Sequence, residues 1–491
     1  MKRNIISFSF REVCYLLLLP LFFVFHGFVE NYAQISFLDA LQLFLFYALV
    51  TAAICAAGFF IFRSWPKAFL FAFILMEVHF FYGSFHDGLK KLFGVTFFTS
   101  YTLLLPFVAL FFILSFIFIK STHRKFARLT NYLNTVFICL LILDAGVLGI
   151  KIKKNSYYGK NALPAAFTKC DTCQKPDVYL IVADEYAGYD ELKSLFHFGN
   201  DSFQNALTQR GFHVIPHSTS NYNFTPFSIA SALNLSYLPI LDTNHTAHDI
   251  PKVMGMIGEN ILTHFFYKQG YEVFNNAIFD LPREPKQALS SFLPDKTKYI
   301  TAQTLVSRVY QDLYYHIVTD LKQDWAIKEG LYNNLKANRF LYEKTIETSL
   351  KKVTPKFSYT HLSMPHWPFY FNEHGQFNPA ETLYNDMDKN RYLGYLQYVN
   401  KKLLYLIDQI QKNSSTPPII VLISDHGFRG PVDGVEKRYK FMNLCALYMP
   451  DGNYAPYYDT LSLVNLFRTI LNQRFGQRLS LVNDRTNFLR D

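Results

Sequence analysis

The apolar residues of this chain are concentrated in its first third. Five apolar runs occupy residues 13–30, 38–62, 66–84, 97–119 and 131–150. Each is about as long as the ~20 residues that cross a bilayer. A single N-terminal run is compatible with a cleaved signal peptide, but five in succession are not. The third run is the weakest, since Glu77, His79, His86 and Asp87 interrupt or bound it. The pattern predicts an α-helical transmembrane domain of five spans over residues 1–150.

The pattern changes after a polar linker at residues 151–175. From Asp177 the sequence DVYLIVADEY is a continuous apolar run closed by acids, as in a parallel strand buried on both faces. Further short strand patterns follow at residues 212–215, 271–274, 357–362, 419–424 and 444–449. Helical patterns lie between them around residues 190–210, 325–350 and 391–412. Strands that alternate with helices predict an α/β sandwich with a mostly parallel sheet over residues 176–491.

Basic residues in the short loops orient the predicted spans. Those before the first span, between the second and third, and between the fourth and fifth are Lys2, Arg3, Arg11, Arg63, Lys67, Lys120, Arg124, Lys125 and Arg128. Five spans put these segments on one side, which the positive-inside rule makes cytoplasmic. A smaller set falls on the other side: Lys90, Lys91, Lys151, Lys153 and Lys154. An odd number of crossings then exports everything after residue 150.

Charge and cysteine content narrow the picture further. The formal net charge of +10 suits either contact with anionic headgroups or topology and solubility, and it makes no case for nucleic-acid binding. Cys170 and Cys173 form a C-x-x-C motif just past the last span. Outside the cytoplasm a structural disulfide is the first expectation, ahead of a metal or redox role. The other cysteines lie in apolar runs, as membrane or core residues: Cys14, Cys55, Cys139 and Cys445.

Acids and histidines stand where three predicted strands end. They are Asp184, Glu185, His361, His366, Asp425 and His426. Ligands of parallel sheets bind beyond the carboxyl ends of the strands. Carboxylates and imidazoles that converge on such an edge are the ligand set of a divalent metal. Any one of them alone is explained as an ordinary polar strand end, but together they favour a metal site. A metal there indicates hydrolysis or group transfer at phosphorus or sulfur.

The candidate nucleophile lies in the sequence SNYNFTPFSIASALN, residues 220–234. This stretch predicts a helix that begins near Thr225, with Pro226 in its first turn. The free N–H groups of a helix N-terminus hold anions, which suits a hydroxyl that attacks a phosphate. The alternative is that Thr225 is only an N-cap. Ser228, one turn on, is the fallback nucleophile.

The order of these motifs resembles the alkaline phosphatase superfamily. An acid follows the first strand, a Thr begins a helix, a His pair precedes Pro368 and Tyr370, and Ser-Asp-His-Gly stands at residues 424–427. Within that superfamily the chain is most similar to the membrane-anchored sulfatase-fold enzymes, namely lipoteichoic acid synthases and phosphoethanolamine transferases. Those proteins also have about five N-terminal spans and an outer catalytic domain. The implied fold is an alkaline phosphatase/sulfatase-like α/β sandwich.

The resemblance implies a role for each candidate residue. The catalytic candidates are Thr225 as nucleophile, with His366 and His361 contacting the transferred phosphate or a second ion. The metal-ligand candidates are Asp184, Glu185, Asp425 and His426. Asp184 is preferred over Glu185, although Glu is the usual ligand in the two branches named above. Arg429 is the candidate for binding a phosphate oxygen of the substrate. The implied cofactor is one divalent ion: manganese, magnesium or zinc.

The resemblance also implies a function and a location. The chain is expected to be a multi-pass protein of the bacterial cytoplasmic (inner) membrane with its catalytic domain outside the cytoplasm. It would move a phospho-headgroup such as phosphoethanolamine from a membrane phospholipid, through a threonine-linked intermediate, to an envelope glycolipid or glycan. Phe-Thr-Pro-Phe-Ser replaces the Cys-x-Pro-Ser-Arg of arylsulfatases, so their formylglycine mechanism is not expected.

Two alternatives stay open. The first is a sulfuric or phosphoric ester hydrolase of the same fold. The second is a non-catalytic lipid sensor or regulator, which loss of the nucleophile or of the metal acids would favour. All of these residues are present.

Overall fold

The computed structural model consists of two units. It describes residues 10–32, 35–122, 126–155, 164, 166–239, 249–286, 293–310, 313, 324–383, 388–430 and 436–490. The first unit, called the helical unit below, comprises Met1–Lys160 and Ser290–Ile327. The second, called the α/β unit, comprises Asn161–Leu289 and Lys328–Asp491.

Five long helices form the helical unit. They are α1 (Phe10–Glu30), α2 (Phe37–Phe62), α3 (Trp65–Phe93), α4 (Tyr101–Ser121) and α5 (Ala127–Asn155). All five are long and apolar enough to cross a membrane, by length and composition, which confirms the predicted number of spans. The third, the weakest in the sequence, is a continuous helix of 29 residues. Its polar residue His86 is accommodated because the ring is buried and its Nε2 lies 2.8 Å from the Thr99 carbonyl oxygen.

A segment from the middle of the chain also belongs to the helical unit. It contains two short helices, Lys298–Thr301 and Leu305–Val309. Ile300 packs so closely on α1 that a Cβ at Gly27 would lie 2.8 Å from its side chain. The Gly83 amide donates to the Gln303 carbonyl at 2.8 Å. The sequence analysis placed this segment within a single domain of residues 176–491, and no motif in it indicated such packing.

A six-stranded sheet forms the centre of the α/β unit. Its strands are β1 (Val178–Ala183), β2 (His213–Val214), β3 (Glu272–Asn276), β4 (Lys356–Leu362), β5 (Ile419–Ile423) and β6 (Cys445–Tyr448). Every predicted strand is present, and the order is β2-β6-β5-β1-β4-β3. The four strands β3, β4, β1 and β5 run parallel, and only the β5–β6 and β2–β6 pairs are antiparallel. The predicted mostly parallel sheet is therefore confirmed.

Strand β1 is central because all six of its residues are apolar and buried, so helices can cover both of its faces. It pairs in register with β4 on one side, Val182 opposite His361, and with β5 on the other, Val182 opposite Ile423. The carboxyl ends of these three strands therefore meet at one edge of the sheet. The acids and histidines singled out in the sequence follow or lie in these strands.

Helices cover the sheet. They are α6 (Tyr189–Leu195), α7 (Asp201–Gln209), α8 (Thr225–Asn234), α9 (Ile250–Gly258), α10 (Ile261–Lys268), α11 (Asp324–Leu350), α12 (Lys389–Asn413) and α13 (Leu463–Phe475). The helical pattern predicted around residues 190–210 divides into α6 and α7. The break is local, since His197 between them has a left-handed φ of 52°.

The linker contains the predicted disulfide. Cys170 and Cys173 are bonded to each other, which confirms the first expectation for the C-x-x-C motif. Residues 156–163 and 165 of the linker lie outside the described part of the chain.

Candidate active site

The two acids that follow β1 point to different partners. Glu185 has a left-handed φ of 60°, a conformation that few residues other than glycine adopt. Its carboxylate accepts the Arg429 amide at 2.7 Å. Asp184 instead faces β4, where its Oδ2 lies 3.4 Å from His361 Nε2. The backbone turn at Glu185 thus separates the roles of two neighbouring carboxylates.

The loop after β5 supplies a second carboxylate and an imidazole. Asp425 Oδ1 accepts the Glu185 amide at 3.0 Å, so the two strand ends are joined directly. His426 Nδ1 lies 2.7 Å from the Gly427 carbonyl oxygen, to which it donates. This contact assigns the ring proton to Nδ1 in the neutral imidazole and leaves a lone pair on Nε2. That Nε2 lies 3.2 Å from Asp425 Oδ2, an arrangement of two acceptors that suits a cation between them.

Three buried residues of this edge form a candidate metal centre. Asp184, Asp425 and His426 each offer one ligand atom, and these atoms all lie within 4.8 Å of one another. Asp184 Oδ1 and Asp425 Oδ2 are buried and have no hydrogen-bond partner among the described residues. Unpartnered buried carboxylate oxygens are costly unless something compensates their charge. Two carboxylates and an imidazole fit a divalent ion such as zinc, manganese or magnesium. Glu185, the second choice from the sequence, is outside this group.

Thr225 stands beside this group at the start of α8. Its Oγ1 lies 3.2 Å from His426 Nε2. Phe224 occupies the N-cap position of the helix, without a side-chain cap hydrogen bond, and Thr225 is the first helical residue. The alternative that Thr225 is merely an N-cap is therefore wrong. Ser228 is buried, and its hydroxyl donates to the Asp425 carbonyl at 2.6 Å, which anchors the loop after β5.

Two asparagines that the sequence analysis missed hold the loop before Thr225. Asn223 exchanges two hydrogen bonds with the backbone of Leu489, at 2.8 and 3.0 Å. The Asn221 side chain accepts the Val464 amide at 2.8 Å and donates to the Arg485 carbonyl at 3.1 Å. These contacts fix the approach to α8 from the C-terminal end of the chain. No sequence signal identifies them, since the partners are backbone atoms more than 240 positions away.

The two candidate histidines lie at the same edge of the sheet. His361 is buried, and its Nδ1 lies 3.1 Å from the Tyr359 hydroxyl. His366 donates from Nδ1 to the Trp367 carbonyl at 2.6 Å, and its Nε2 lies 3.6 Å from Glu185 Oε2. Burial alone would lower the pKa of His366, but the negative charges of Asp184 and Glu185 outweigh it and raise the pKa above its ordinary value. A histidine of raised pKa is suited to donate a proton.

Arg429 completes the surroundings of Thr225. Its guanidinium lies over the ring of Phe224, 4.8 Å from the centroid. Its Nε is buried and has no hydrogen-bond partner among the described residues. A guanidinium with a free donor next to a helix N-terminus is suited to bind a phosphate oxygen.

The pKa of Asp184 reflects two opposing effects, burial of the carboxyl group and its contacts with neighbouring histidines. Burial raises the pKa of this carboxyl, but the hydrogen bond from His361 and the charge of His366 outweigh burial and hold the pKa well below its usual range. Asp184 is therefore ionised and available to a cation.

Glu191 in α6 is a supporting residue that the sequence analysis missed. Its Oε2 accepts the Phe428 amide at 3.2 Å, and it is buried. Burial raises its pKa well above the ordinary value, against the effect of that hydrogen bond. A Cβ at Gly427 would collide with the backbone carbonyls of Tyr439 and Met442 as well as with this Oε2, so glycine is required there. Glu191 thereby fixes the loop that contains His426.

The structure thus brings the predicted site residues to one end of the sheet. They are Asp184, Glu185, Thr225, His361, His366, Asp425, His426 and Arg429. Their chemical roles remain predictions.

Solved structures similar to this chain include phosphoethanolamine transferases and a sulfatase. The periplasmic domain of EptC from Escherichia coli, in complex with Zn, is 12% identical over 65% of this chain and 89% of that chain, with a TM-score of 0.40. The integral membrane protein lipooligosaccharide phosphoethanolamine transferase A (EptA) from Neisseria meningitidis is 13% identical over 94% of this chain and 95% of that chain, with a TM-score of 0.39. The putative sulfatase yidJ from Bacteroides fragilis is 13% identical over 61% and 74%, with a TM-score of 0.37. No protein-family model and no curated protein sequence matches the chain. The function proposed below depends on the residues of the site and not on this likeness.

Proposed function

We propose that this protein is a membrane-anchored, metal-dependent phosphotransferase that forms a covalent intermediate on Thr225. One observation carries the proposal. The Thr225 hydroxyl stands at the N-terminus of α8, 3.2 Å from His426 Nε2, beside a group of three buried metal-ligand side chains. A hydroxyl at a helix N-terminus faces free N–H groups that bind phosphate oxygens.

The candidate metal ligands are Asp184, Asp425 and His426. A divalent cation held there would lower the pKa of the neighbouring hydroxyl and neutralise the charge that develops on a phosphate. The unpartnered oxygens of Asp184 and Asp425 support this assignment. His426 contributes a lone pair on Nε2, because its Nδ1 is engaged with the Gly427 carbonyl.

The remaining residues support an in-line transfer at phosphorus. The Thr225 hydroxyl gives its proton to solvent, its Oγ forms a bond to the phosphorus of a phosphodiester, and the bond to the leaving alcohol breaks. The free N–H groups of α8 and the Arg429 guanidinium orient the phosphate oxygens. His366, with its raised pKa, donates a proton to the departing alcohol. An acceptor hydroxyl then attacks the phosphothreonine, gives its proton to His366 and releases Thr225 Oγ, which regains a proton from solvent.

The five apolar helices support a lipid as the donor. A site tethered to a bilayer meets phospholipid headgroups at high local concentration. The basic loops place the α/β unit outside the cytoplasm by the positive-inside rule. We therefore propose a membrane phospholipid as donor and an envelope glycolipid or glycan as acceptor.

The experiment compares donor alone with donor plus acceptor. The full chain in lipid nanodiscs, supplied with a divalent metal, is incubated with a phospholipid of labelled headgroup, and intact-mass and peptide mass spectrometry then examine Thr225. A headgroup phosphate on Thr225 that disappears when an acceptor glycan is added supports transfer. Release of the headgroup without any acceptor product indicates the hydrolase alternative. Absence of both turnover and labelled Thr225 in a metal-loaded protein contradicts the proposal and favours the sensor.

A further inference from the structure

A groove in the α/β unit is lined by none of the candidate active-site residues. It has a volume of about 370 Å³ and lies between α11, α12 and the chain that follows β4. Asn338, Tyr342 and Ile346 recur at intervals of four on one face of α11 and line it together. Tyr395 and Tyr398 contribute from α12. The volume falls in the range of small-molecule sites.

Aromatic rings make up much of the wall. Phe371 stacks on Tyr398 with ring centroids 4.6 Å apart. Tyr395 lies nearly parallel to Tyr398, at 11° and 6.1 Å between centroids. The Lys402 ammonium lies 4.4 Å from the centroid of the Tyr342 ring. Walls of this kind favour a ligand that presents an apolar face to the rings.

One polar atom of the groove lacks a partner. Asn338 is only 7% exposed, and its Oδ1 has no hydrogen-bond partner among the described residues. A buried amide oxygen is costly unless a donor reaches it. A ligand of this groove should therefore supply an O–H or N–H group as well as an apolar face. An acyl chain supplies no donor.

Charged side chains also line the groove. Arg339 at the rim is paired with Glu343, with Nε 2.8 Å from the carboxylate oxygen. Burial and the charge of Arg339 lower the pKa of Lys402, and the charge of Glu343 opposes them. Hydroxyl groups of a ligand can accept from Arg339 and donate to Glu343.

A second depression lies in the same unit. It has a volume of about 320 Å³ and is lined by Asn372 and Gly394, which directly follow Phe371 and precede Tyr395 in the chain. Its other lining residues carry amide, carboxylate and guanidinium groups: Glu373, Asn378, Asp388, Asn390 and Arg391. Groups of these kinds donate to and accept from the hydroxyl groups of a ligand.

We propose that this groove binds a glycan, with one pyranose ring against Tyr398 and Asn338. The C–H face of a pyranose packs on an aromatic ring, and its hydroxyls supply the donor that Asn338 lacks. The use of the groove to hold a glycan acceptor rests on the proposed transfer reaction, whereas the binding itself does not.

The test measures binding of end-labelled maltotetraose, cellotetraose and chitotetraose to the full chain. Lipid nanodiscs are used, because maltoside detergents would compete. At least one tetrasaccharide should bind, and Tyr398→Ala or Asn338→Leu should weaken it by about tenfold, the value of one lost hydrogen bond or stacking contact. Tyr405→Ala is the matched control, since Tyr405 lies on the same helix, is 54% exposed and does not line the groove. Asn338→Leu should not lower the thermal unfolding midpoint, because the amide oxygen that it removes has no internal partner.

Three outcomes would overturn the proposal. The first is that none of the tetrasaccharides binds saturably. The second is that the groove variants bind a tetrasaccharide as strongly as the unaltered chain does. The third is that labelled dodecanoate binds and that Asn338→Leu tightens its binding, which identifies an acyl-chain groove. Thr225→Ala should bind the glycan as strongly as the unaltered chain. Failure of the transfer chemistry is thereby distinguished from failure of the glycan site.

Discussion

Thr225 and Ser228 stand one helical turn apart, and replacing each should have opposite consequences. Thr225→Val keeps the shape of the side chain and removes its hydroxyl. We expect turnover to fall by several powers of ten, since no neighbouring group replaces the covalent step. Each power of ten corresponds to about 1.4 kcal/mol of lost transition-state stabilisation. Stability should change by less than the about 1 kcal/mol that loss of an N-cap costs, because Phe224 and not Thr225 occupies that position.

Ser228→Ala should act on stability instead. Its hydroxyl donates a hydrogen bond to the backbone carbonyl oxygen of the buried residue Asp425, at 2.6 Å. Removal of the donor leaves that carbonyl unpaired, at a cost of about 1–3 kcal/mol. Activity should fall only in part, because Thr225 and the candidate metal ligands keep their side chains while one contact that positions them is lost. Thr225→Ser is the companion variant, since it retains a hydroxyl of similar reach and should keep part of the activity.

The assay follows headgroup release from a lipid phosphodiester in nanodiscs, with thermal unfolding of the same samples. The expected result is an inactive, stable Thr225→Val and an active, destabilised Ser228→Ala. The reverse pattern would refute the assignment of the nucleophile. It would transfer the covalent step to Ser228, whose present hydrogen bond would then have to break before each turnover.

The other predictions concern the metal, the loop beside it and the topology. Asp425→Ala and His426→Ala should each lower the metal content of the folded protein, measured by elemental analysis, and full occupancy in both would show that the site is misplaced. Glu191→Gln should keep most of the activity, because the amide oxygen still accepts the Phe428 amide, whereas Glu191→Ala should lower the unfolding free energy by about 1–3 kcal/mol; equal stability of the two variants would contradict the anchoring role. A reporter fused after Asp491 should be active only outside the cytoplasm, and a cytoplasmic signal would remove both the export argument and the lipid donor.

The residues at the carboxyl edge of the sheet could be predicted from the sequence because a single rule locates them. Apolar runs identify parallel strands, and the residues that follow such runs meet at one edge. Asp184 follows β1 directly and Asp425 follows β5 after one intervening serine, and these strands are neighbours in the sheet. The sequence does not show which of two adjacent acids faces the edge. That choice depends on the left-handed φ of Glu185, a property of the folded backbone.

The contacts that hold the edge in place were not predictable. Glu191, Asn221 and Asn223 bind backbone atoms, and any residue type at the partner position offers the same N–H or C=O. The segment Ser290–Ile327 was missed for a related reason. Its packing on α1 and α3 depends on the small size of Gly27 and Gly83 in the membrane helices, and not on a pattern within the segment itself.

The contacts around Thr225 suit its proposed role as nucleophile, although its side chain is only partly buried. Thr225 gains no orientation from a cap hydrogen bond, since the N-cap position belongs to Phe224. Its position is set from two sides, by Asn223 bound to the backbone of Leu489 and by Ser228 bound to the Asp425 carbonyl. The second contact also ties α8 to the loop that bears His426, so the nucleophile and the candidate metal ligands share one anchored frame. Fixed geometry of this kind supplies catalytic rate because the reacting groups need no reorientation before each turnover.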